Sequence, residues 1–497
     1  MRLKNERPAN TDEAQTSSTR HRPQTLKAAA VALAGLSAVF LFEMLDNSIL
    51  NVALPTIGRE LGASTTALQW VSGVYAVVFG GLMLLFSAIA DRFGRRRVML
   101  VGLTLLALAS AATALVETPE QLIAVRAVMG VAAAMTTPGS MALAFRLFDE
   151  ESLRVRALTL ISTVGLVGLA IGPTAGGFVL AFAPWQVLLL SNVPIAILAF
   201  IGIRMGVAKD LPEELHRDAL DVAGAVLGTA TIVLAFLAPT LFVEVCPDSW
   251  MPWAATAGTL SAAAMFVVRA RTAGYPLLDL DLVALPLVSS GLAYKAASGL
   301  AVAGLGYMVT LQLQFAWGWS PALASIGMLP QVVVLLFSGR LIAPFLRRVG
   351  MNHAAWMSAA AVVLGLAVFA VGSRFGYVWV ALALVLVAVG MRIVGVVAGT
   401  NVMTGLPESR TTIGAAMVDT SSQVATGVGI TVTGTIIAAL FTGNISSTTW
   451  NAEQAASFQT GVTVAGFAIT ATAAALVLLG MSRARASRGA PVAPGAP

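Results

Sequence analysis

The chain has 497 residues, of which 57% are hydrophobic and only 11% are charged, against roughly 25% charged residues in an average soluble domain. With a mean hydropathy of +0.85, so few charged side chains could not keep a globular surface hydrated, which excludes a soluble protein and indicates an integral membrane protein. The net charge of +6 does not indicate nucleic acid as a partner, because the basic residues fall in short runs between apolar segments, as orientation in a bilayer requires.

The apolar segments predict membrane-spanning helices in chain order. Residues 1–27 are polar and basic and lack a signal-peptide pattern, so we expect a disordered cytoplasmic tail. Because about 20 apolar residues cross the hydrocarbon core as a helix, fourteen spans are predicted, near 29–54, 67–89, 98–116, 121–145, 158–183, 186–207, 221–243, 251–270, 286–315, 321–346, 353–373, 376–404, 411–441 and 459–481. They predict an all-α membrane protein with a six-helix bundle (28–207), two inserted helices and linkers (208–285), a second six-helix bundle (286–481) and a disordered cytoplasmic tail (482–497).

The distribution of basic residues predicts the orientation of the chain. If both termini lie on one side, the loops and tails of that side hold 25 of the 30 Lys and Arg residues. The loops of the opposite side hold only Arg59 and Arg374. Because cytoplasmic loops carry an excess of Lys and Arg, both termini are predicted to be cytoplasmic in a multi-pass protein of the cell membrane.

The first predicted helix carries the polar stretch "LDNSILNVALP" (45–55), preceded by a further acid. At 100° per residue, Glu43, Asp46, Asn47 and Asn51 fall within an arc of about 140°, which makes one polar face that we expect to line a cavity. Ionisable residues inside a membrane are costly and usually functional. We therefore expect Asp46 to couple protons and substrate, alone or paired with Arg126 of the fourth helix; the alternative is a purely structural pair of Asp46 with Arg126. Glu43 is either a second coupling group or only a buried hydrogen-bond donor.

The loop after the second predicted helix reads "ADRFGRRR" (90–97). An ordinary positive-inside loop needs only its arginines. Asp91 and Gly94 suggest more, since Gly94 permits a tight turn and Asp91 can pair with nearby arginines or cap the start of a helix. A degraded copy, "APFLRRVG" (343–350), follows the tenth helix, with Arg347 in place of Asp91. We therefore predict a conformational latch formed by Asp91, Arg92, Gly94 and Arg95.

The fifth predicted helix contains "GLAIGPTAGG" (168–177). Gly168, Gly172 and Gly176 recur every four residues, so they form a flat strip that a neighbouring helix can approach closely. Pro173 removes a backbone hydrogen bond and bends the helix. Generic small-residue packing is one explanation, and a surface between two halves that rock against each other is the other. Gly177 completes the pattern.

Ionisable residues of the second bundle provide further candidates. Asp419 shares a helix face with Ser422, Gln423 and Thr426 and is either a coupling acid or a solvated acid near the membrane surface. Arg392 either pairs with an acid across the cavity or has a structural role, and Lys295 is expected to extend toward the membrane surface. The candidate cavity residues are Asn47, Asn51, Gln423 and Arg392, with possible aromatic contacts from Trp70, Tyr75, Tyr294, Tyr307 and Phe315.

Four of these motifs together resemble the major facilitator superfamily, in particular its fourteen-helix drug:proton antiporter branch. The loop resembles G-x-x-x-D-R-x-G-R-R with Ser87 replacing the first glycine, "LDNSILNVALP" resembles the first-helix motif, and "RAVMG" (126–130) the fourth-helix motif. "GLAIGPTAGG" resembles the antiporter motif, G-P-x-x-G-G, whose helix the resemblance implies helps to seal the site. The match covers the first six helices well, and Glu43 lies outside the family motif.

No enzyme is predicted, since the sequence contains no phosphate-binding glycine loop, metal-ligand spacing or Ser-His-Asp arrangement. The lone cysteine, Cys246, excludes an intrachain disulfide framework. Without a nucleotide-binding domain or cofactor, a proton gradient is the expected energy source: a buried acid binds a proton on one side and releases it on the other. The resemblance implies a monomeric, proton-coupled exporter of amphipathic cationic drugs, dyes or antiseptics. A dedicated exporter of one endogenous metabolite or antibiotic and a non-transporting sensor are the alternatives.

Overall fold

The computed structural model describes residues 25–148, 150–210, 221–245, 249–406, 411–447 and 450–489, and within these ranges the protein is helical with no strand. Most of the predicted N-terminal tail, Cys246, and residues 490–497 of the predicted C-terminal tail lie outside the described residues.

The first six spans alternate in direction through one bundle. They are α1 (Ala30–Leu61), α2 (Thr65–Phe93), α3 (Arg95–Ala112), α4 (Pro119–Arg146), α5 (Glu151–Val179) and α6, which consists of Gln186–Leu190 and Asn192–Gly206. Local capping explains several of the starts, because a side-chain oxygen satisfies a free backbone N–H there. The Ser64 hydroxyl accepts from the backbone N–H of Ala67 at 3.1 Å, and the Thr118 hydroxyl accepts from that of Gln121 at 3.3 Å.

Two inserted helices and a second bundle follow. The inserted pair is α7 (Val222–Glu244) and α8 (Trp250–Thr272). The second bundle consists of α9 (Pro286–Leu311, continued by a π-helical turn Gln312–Ala316), α10 (Pro321–Gly327, Leu329–Phe337 and Gly339–Val349), α11 (Met351–Gly372), α12 (Tyr377–Gly405), α13 (Thr411–Leu440) and α14 (Ala452–Gly489). A short helix, Leu280–Ala284, precedes α9.

The number of crossings agrees with the sequence prediction. Thirteen of the described helices are long and apolar enough to span a membrane, and the pair Leu329–Phe337 and Gly339–Val349, bent by 53°, makes up to fourteen. The predicted all-helical fold of six, two and six spans is therefore confirmed. The placement of both termini on the cytoplasmic side stays a prediction.

Several predicted boundaries differ from the structure. α1 continues through Pro55 to Leu61 instead of ending before the proline, since helices in a membrane tolerate proline where neighbouring groups compensate for the lost hydrogen bond. The tenth span, expected as one helix over 321–346, is broken into three pieces. Pro330 lies in the first turn of the second piece, where its missing N–H is tolerated. α14 continues to Gly489, beyond the expected end at 481.

The inserted pair packs on the outside of the seam between the bundles. α7 contacts α8, α2 of the first bundle and α13 of the second. The Gln69 amide on α2 donates to the Thr240 hydroxyl on α7 at 3.1 Å, and its carbonyl oxygen accepts from the Thr435 hydroxyl on α13 at 3.2 Å. α7 thus covers a line along which the two bundles meet.

The two ends of the molecule are packed differently. We call the end near Leu61 of α1 and Leu311 of α9 the distal end, and the opposite end, where α1 and α9 begin, the terminal end. At the distal end one hydrophobic core cluster contains residues of both bundles. Toward the terminal end each cluster is confined to one bundle. The bundles are therefore joined by a continuous apolar core at the distal end.

Polar contacts reinforce the distal end. The Gln314 amide in the π-helical turn donates to the backbone carbonyl of Val52 on α1 at 2.9 Å, and the Ser446 hydroxyl donates to the carbonyl of Ala63 at 2.8 Å. The Arg59 guanidinium carbon lies 5.6 Å from the centre of the Phe315 ring, within the range of a cation–π contact. Backbone acceptors of one bundle are thus satisfied by side chains of the other.

Candidate functional site

A cavity of about 500 Å³ lies between the two bundles near the middle of the spans. The helices that line it include α1 and α5 of the first bundle and α9, α10, α12 and α13 of the second. The polar uncharged side chains in its wall are Asn47, Ser48, Asn51, Ser72, Ser162, Ser298, Gln331, Ser422, Gln423 and Thr426. Among the described residues that line it, the charged ones are Lys295 and Arg392, and none is an acid.

Asp46 faces the interior of the first bundle instead of this cavity. Its carboxylate forms an ion pair with the guanidinium of Arg126 on α4, and both side chains are completely buried. The other carboxylate oxygen accepts a 2.8 Å hydrogen bond from the Asn192 amide on α6. The expectation that Asp46 shares one cavity-lining face with its neighbours was wrong, because Asp46 lies at the edge of the polar arc and turns toward α4 and α6.

Arg126 makes one further contact, with an aromatic ring. Its guanidinium carbon lies 4.6 Å from the centre of the Tyr75 ring on α2, which is a cation–π geometry. Its Nε and second Nη atoms make no hydrogen bond within the described part of the chain. Asp46 therefore supplies the charge that makes a buried guanidinium tolerable, since breaking such a pair leaves an uncompensated charge.

Glu43 lies where the two bundles meet. It is buried, with 3% of its surface exposed, and its carboxyl group accepts a 3.1 Å hydrogen bond from the Gln423 amide on α13. Asp419 and Lys295 lie close enough to act electrostatically on the same carboxyl group. Glu43 is thus the acid of the first bundle that has a direct polar contact with the second.

On α13, as on α1, the uncharged polar side chains and the acid of the polar face have different surroundings. Ser422, Gln423 and Thr426 line the cavity, as their spacing predicted, whereas Asp419 is partly buried beside it. On α1, Asn47 and Asn51 line the cavity. On both helices the amide and hydroxyl side chains therefore line the cavity. The acidic side chains lie outside the cavity lining.

The basic residues of the wall occupy different surroundings. Lys295 lines the cavity close to Glu43 and Asp419 instead of extending to the membrane surface. The Arg392 Nε atom is buried without a hydrogen-bond partner in the described part of the chain. Arg392 also forms no ion pair with a described acid, so pairing across the cavity, one of the two alternatives for this residue, does not occur in this structure.

The aromatic residues expected at the cavity lie elsewhere. The Trp70 ring packs edge-on against Phe236 of α7 at 4.4 Å between centroids, and Phe315 stacks on Trp450 at 6.2 Å. Tyr75 covers Arg126, and Tyr294 and Tyr307 are buried outside the cavity wall. Phe40 is the aromatic residue among the described residues that line the cavity.

The loop motif forms a compact junction between α2 and α3. The Asp91 carboxylate pairs with the Arg95 guanidinium at 2.5 Å across Gly94, whose positive φ of 102° favours glycine. The Arg92 guanidinium lies 5.8 Å from the Phe93 ring centre. Gly350, at the end of the degraded copy, also has a positive φ of 82°. The junction geometry is therefore repeated in the second bundle without the acid.

The glycine strip of α5 packs closely against α1. A Cβ atom on Gly168 would lie 3.0 Å from the Leu41 carbonyl oxygen, and one on Gly172 would lie 2.9 Å from the Ser48 Cβ atom. The Cβ position of Gly176 lies 3.6 Å from Ile49, and that of Gly177 lies 2.5 Å from the Pro321 carbonyl oxygen of α10. Pro173 lines the cavity. The strip thus packs within the first bundle, and Gly177 allows a close contact between bundles at the distal end.

Asn192 is a site residue that the sequence reasoning missed. It lies in "LLLSNVPIA" of α6, where an amide in an apolar helix signals a buried polar partner. Without a known depth for each helix, its pairing with Asp46 could not be inferred.

Two helical bundles around a central polar cavity define a membrane transporter. The chain belongs to the Major Facilitator Superfamily, whose family model matches residues 36–430. Its relatives include the cephamycin export protein CmcT of Amycolatopsis lactamdurans, 36% identical over 338 residues that cover 67% of this chain and 68% of that protein. The methyl viologen resistance protein SmvA of Salmonella typhimurium is 29% identical over 416 residues, 82% of each chain. The multidrug efflux pump LfrA of Mycolicibacterium smegmatis is 27% identical over 436 residues, 84% of this chain and 82% of that one.

Solved structures share the fold. The POT family transporter PepTSo superposes with a TM-score of 0.66 at 14% identity, covering 94% of this chain and 98% of that one. A bacterial homologue of the human lysosomal transporter Spinster, in an inward-facing and unoccupied conformation, superposes with a TM-score of 0.65 at 15% identity, covering 94% and 100%. The family, the relatives and the apolar helices together identify a multi-pass transporter of the cell membrane.

Proposed function

We propose that the protein is a proton-coupled exporter that exchanges external protons for an amphipathic compound of the cytoplasm. The observation that carries this proposal is the contact between Glu43 of α1 and Gln423 of α13 beside the cavity. A carboxyl group at a contact between bundles changes its surroundings when the bundles rock. Its affinity for a proton then differs between the two access states, and by linkage proton binding shifts the balance between those states.

Asp46 and Arg126 supply a second group that can respond to a proton. A proton on Asp46 would leave Arg126 buried without its counter-charge, which is costly. The pair links α1 to α4, and Asn192 links it to α6. We propose that loss of this pair alters how α1 packs within the first bundle, so that Asp46 assists Glu43 in coupling.

The packing of the two ends supports a direction of access. The distal end has a core shared by both bundles, whereas toward the terminal end each core cluster belongs to one bundle. With the termini in the cytoplasm, as the charge bias predicts, the cavity is accessible from the cytoplasm in this state. That is the side on which an exporter loads its substrate. The conformational latch at Asp91, Arg92, Gly94 and Arg95 lies at the same end and is proposed to regulate closure there.

The proposed exporter either transports many unrelated compounds or is dedicated to one, and the range of its substrates distinguishes these two possibilities. SmvA and LfrA are named for methyl viologen resistance and multidrug efflux, whereas CmcT is named for export of one antibiotic class. Competition between chemically unrelated compounds for transport distinguishes a multidrug exporter from a dedicated one. The family resemblance implied a cationic substrate, but among the described residues the cavity wall holds no acid that would attract one.

The test is dye uptake into inside-out vesicles with an acidic lumen. The wild-type protein should accumulate an amphipathic dye, and a protonophore should abolish the uptake. Glu43→Gln keeps a hydrogen-bond acceptor for Gln423 but cannot titrate, so we expect its gradient-driven uptake to fall to the level of vesicles without the protein. Glu117→Gln, the same change at an exposed loop residue, should transport normally.

Two results would overturn the proposal. Uptake that is independent of the pH gradient excludes proton coupling, and absence of uptake for a broad set of dyes in correctly folded protein favours a non-transporting sensor. Equal uptake by Glu43→Gln and Glu117→Gln removes Glu43 from the mechanism. Asp46→Asn is informative only where its folding is verified, because it also breaks a buried ion pair.

A further inference from the structure

We infer that Arg392 binds an anionic group of the substrate, so that the exported compounds combine a carboxylate or a similar acid with an apolar body. This inference rests on the proposed function, since it specifies what occupies the cavity of the proposed exporter. It replaces the cationic substrate that the sequence favoured.

Arg392 is a cation in the cavity wall without a counter-charge. It projects from α12 near the middle of the membrane span and lines the cavity. No described acid forms an ion pair with it, and its Nε atom is buried without a partner in the described ranges. A charge at this depth is costly unless it meets water or an opposite charge. An anion in the cavity would remove that cost.

The fourth helix of the first bundle also carries an arginine, which provides a comparison. Arg126 lies in α4 and Arg392 in α12, each the fourth helix of its bundle. Arg126 is paired with a carboxylate, Asp46, which comes from the first helix of its bundle. The first helix of the second bundle, α9, contributes Lys295 to the cavity instead of an acid. Arg392 lies about two turns further along its helix than Arg126 does, and unlike Arg126 it has no carboxylate partner among the described residues.

The space around Arg392 allows a ligand to approach. A Cβ atom on Gly339 of α10 would lie 3.0 Å from an Arg392 guanidinium nitrogen, so the absence of a side chain there makes room for the guanidinium group. One and two turns further along α12, Cβ atoms on Gly395 and Gly399 would meet nothing within 4 Å. The neighbouring Ser338 hydroxyl, at the bend of α10, is buried without a hydrogen-bond partner among the described residues. A ligand carboxylate could satisfy the Arg392 guanidinium group, since such a group binds carboxylates through two parallel hydrogen bonds.

The rest of the cavity suits an apolar body with hydrogen-bonding groups. Its apolar wall includes Phe40, Met44, Leu166, Met328 and Met391, and methionine side chains adapt to ligands of different shape. The amides of Asn47 and Asn51 on α1 belong to the opposite bundle. A ligand held by Arg392 at one end and by these amides at the other would contact both bundles.

An anion at Arg392 is separated from the acids that are proposed to carry the proton. Lys295 lies close enough to Glu43 and Asp419 to act on them electrostatically, whereas Arg392 forms no ion pair with a described acid. The substrate anion is therefore not placed against the proton-binding acids. In this arrangement proton and substrate bind at different sites, and the movement of the two bundles couples them; they do not compete for one shared site.

The test compares three pyrene compounds that differ in charge: pyrenebutyrate, its uncharged amide, and a pyrene trimethylammonium salt. Binding to purified protein in lipid nanodiscs is followed by fluorescence anisotropy, so no gradient is needed. The wild-type protein should bind the butyrate about ten-fold more tightly than the amide, which corresponds to about 1.4 kcal/mol. Arg392→Gln should abolish this preference without changing the affinity for the amide. Arg374→Gln, in an exposed loop, should preserve it.

Arg392→Lys keeps the charge but loses the two-pronged geometry, so it should retain only part of the preference. Equal affinity of the wild-type protein for butyrate and amide, tightest binding of the ammonium compound, or a preference that survives in Arg392→Gln would each overturn the inference. The two proposals fail separately. If Arg392-dependent anion binding occurs but no pH gradient drives dye uptake, the proposed proton coupling is wrong and the anion site stands; the reverse outcome leaves the coupling and removes the anion site.

Discussion

Gln423 donates a 3.1 Å hydrogen bond to the Glu43 carboxyl group and thereby joins α13 of the second bundle to α1 of the first. The contact lies beside the cavity, since Gln423 also lines it. The same amide is therefore positioned to respond both to a ligand in the cavity and to the protonation of Glu43. Most other polar contacts described between the bundles are at the distal end.

Replacing Gln423 by leucine should destabilise the protein in the conformation described here. The change removes the donor and leaves a buried carboxyl oxygen without its partner, which costs about 1–3 kcal/mol. We expect a lower midpoint of thermal unfolding in detergent. Gln331→Leu is the matched control, because Gln331 lines the same cavity on α10 and its side chain makes no hydrogen bond within the described residues.

A double-mutant cycle separates the pair from general packing. Combining Glu43→Leu with Gln423→Leu removes both polar partners, so the combined loss should be smaller than the sum of the two single losses. Additive losses would show that the hydrogen bond does not contribute to stability.

Neutralising Asp46 alone should destabilise the protein more than neutralising both Asp46 and Arg126. Asp46→Asn leaves the Arg126 guanidinium charged, completely buried and without its carboxylate, at a cost of about 3–5 kcal/mol. In Asp46→Asn combined with Arg126→Gln no buried charge remains, and part of the stability should return. Thermal unfolding of the three purified variants checks this order. A double variant less stable than Asp46→Asn would contradict it.

The spans could be predicted from the sequence because they depend on hydrophobicity summed over about 20 residues. The short break at Gly372–Gly376 was predicted correctly, and Gly376 there has a positive φ of 126°. The break within α10 was not predicted, since Pro330 and Gly339 lie in a segment whose hydropathy alone reads as one span. Whether a proline ends a helix, as expected at Pro55, or lies within it depends on neighbouring helices that a single sequence does not specify.

The site was predicted as a set of residues more successfully than as an arrangement. Asp46, Arg126, Glu43 and Gln423 were all named from the cost of polar groups in a membrane. The sequence nevertheless placed Asp46 in the cavity wall, because helical periodicity gives the face of a residue but not which helix that face contacts. Its partner Asn192 is 146 positions away in the chain. Only the packing of α6 against α1 brings the two together.

Two glycines of the α5 strip should respond oppositely to alanine. A Cβ atom on Gly172 would lie 2.9 Å from the Ser48 Cβ atom, so Gly172→Ala forces α1 and α5 apart and should cost about 1–3 kcal/mol. At Gly176 the nearest atom, in Ile49, lies 3.6 Å from the Cβ position, which is ordinary contact. Gly176→Ala should therefore be neutral or stabilise the helix by up to about 1 kcal/mol. Thermal unfolding distinguishes the two, and equal effects would show that the strip is not a packing surface.

The stability contributed by Asp221 should depend on pH. Asp221 precedes α7 and joins it to α8: its carboxylate accepts hydrogen bonds from the backbone N–H of Gly224 at 3.0 Å and from the Arg269 guanidinium at 2.9 Å. Burial alone would raise the pKa of the Asp221 carboxyl, but these hydrogen bonds and the charge of Arg269 outweigh it and lower the pKa below its ordinary value of 3.8. A carboxyl whose pKa is lower in the folded protein stabilises the fold above its unfolded pKa, and the contribution is lost as the pH falls through the folded pKa.

Comparison of two variants isolates this charge. Asp221→Asn still offers an oxygen that caps α7 but lacks the charge, whereas Asp221→Ala also loses the cap, at a further cost of about 1 kcal/mol. Because Arg269 is 45% exposed, the ion pair itself should contribute about 1 kcal/mol or less. We expect the unfolding midpoint of the wild-type protein to exceed that of Asp221→Asn at neutral pH and the difference to disappear when the pH falls below the ordinary carboxyl range. Asp281→Asn, at an exposed acid of the short helix before α9, should show no such difference, and a wild-type advantage that persisted in acid would contradict the assignment of the effect to the Asp221 charge.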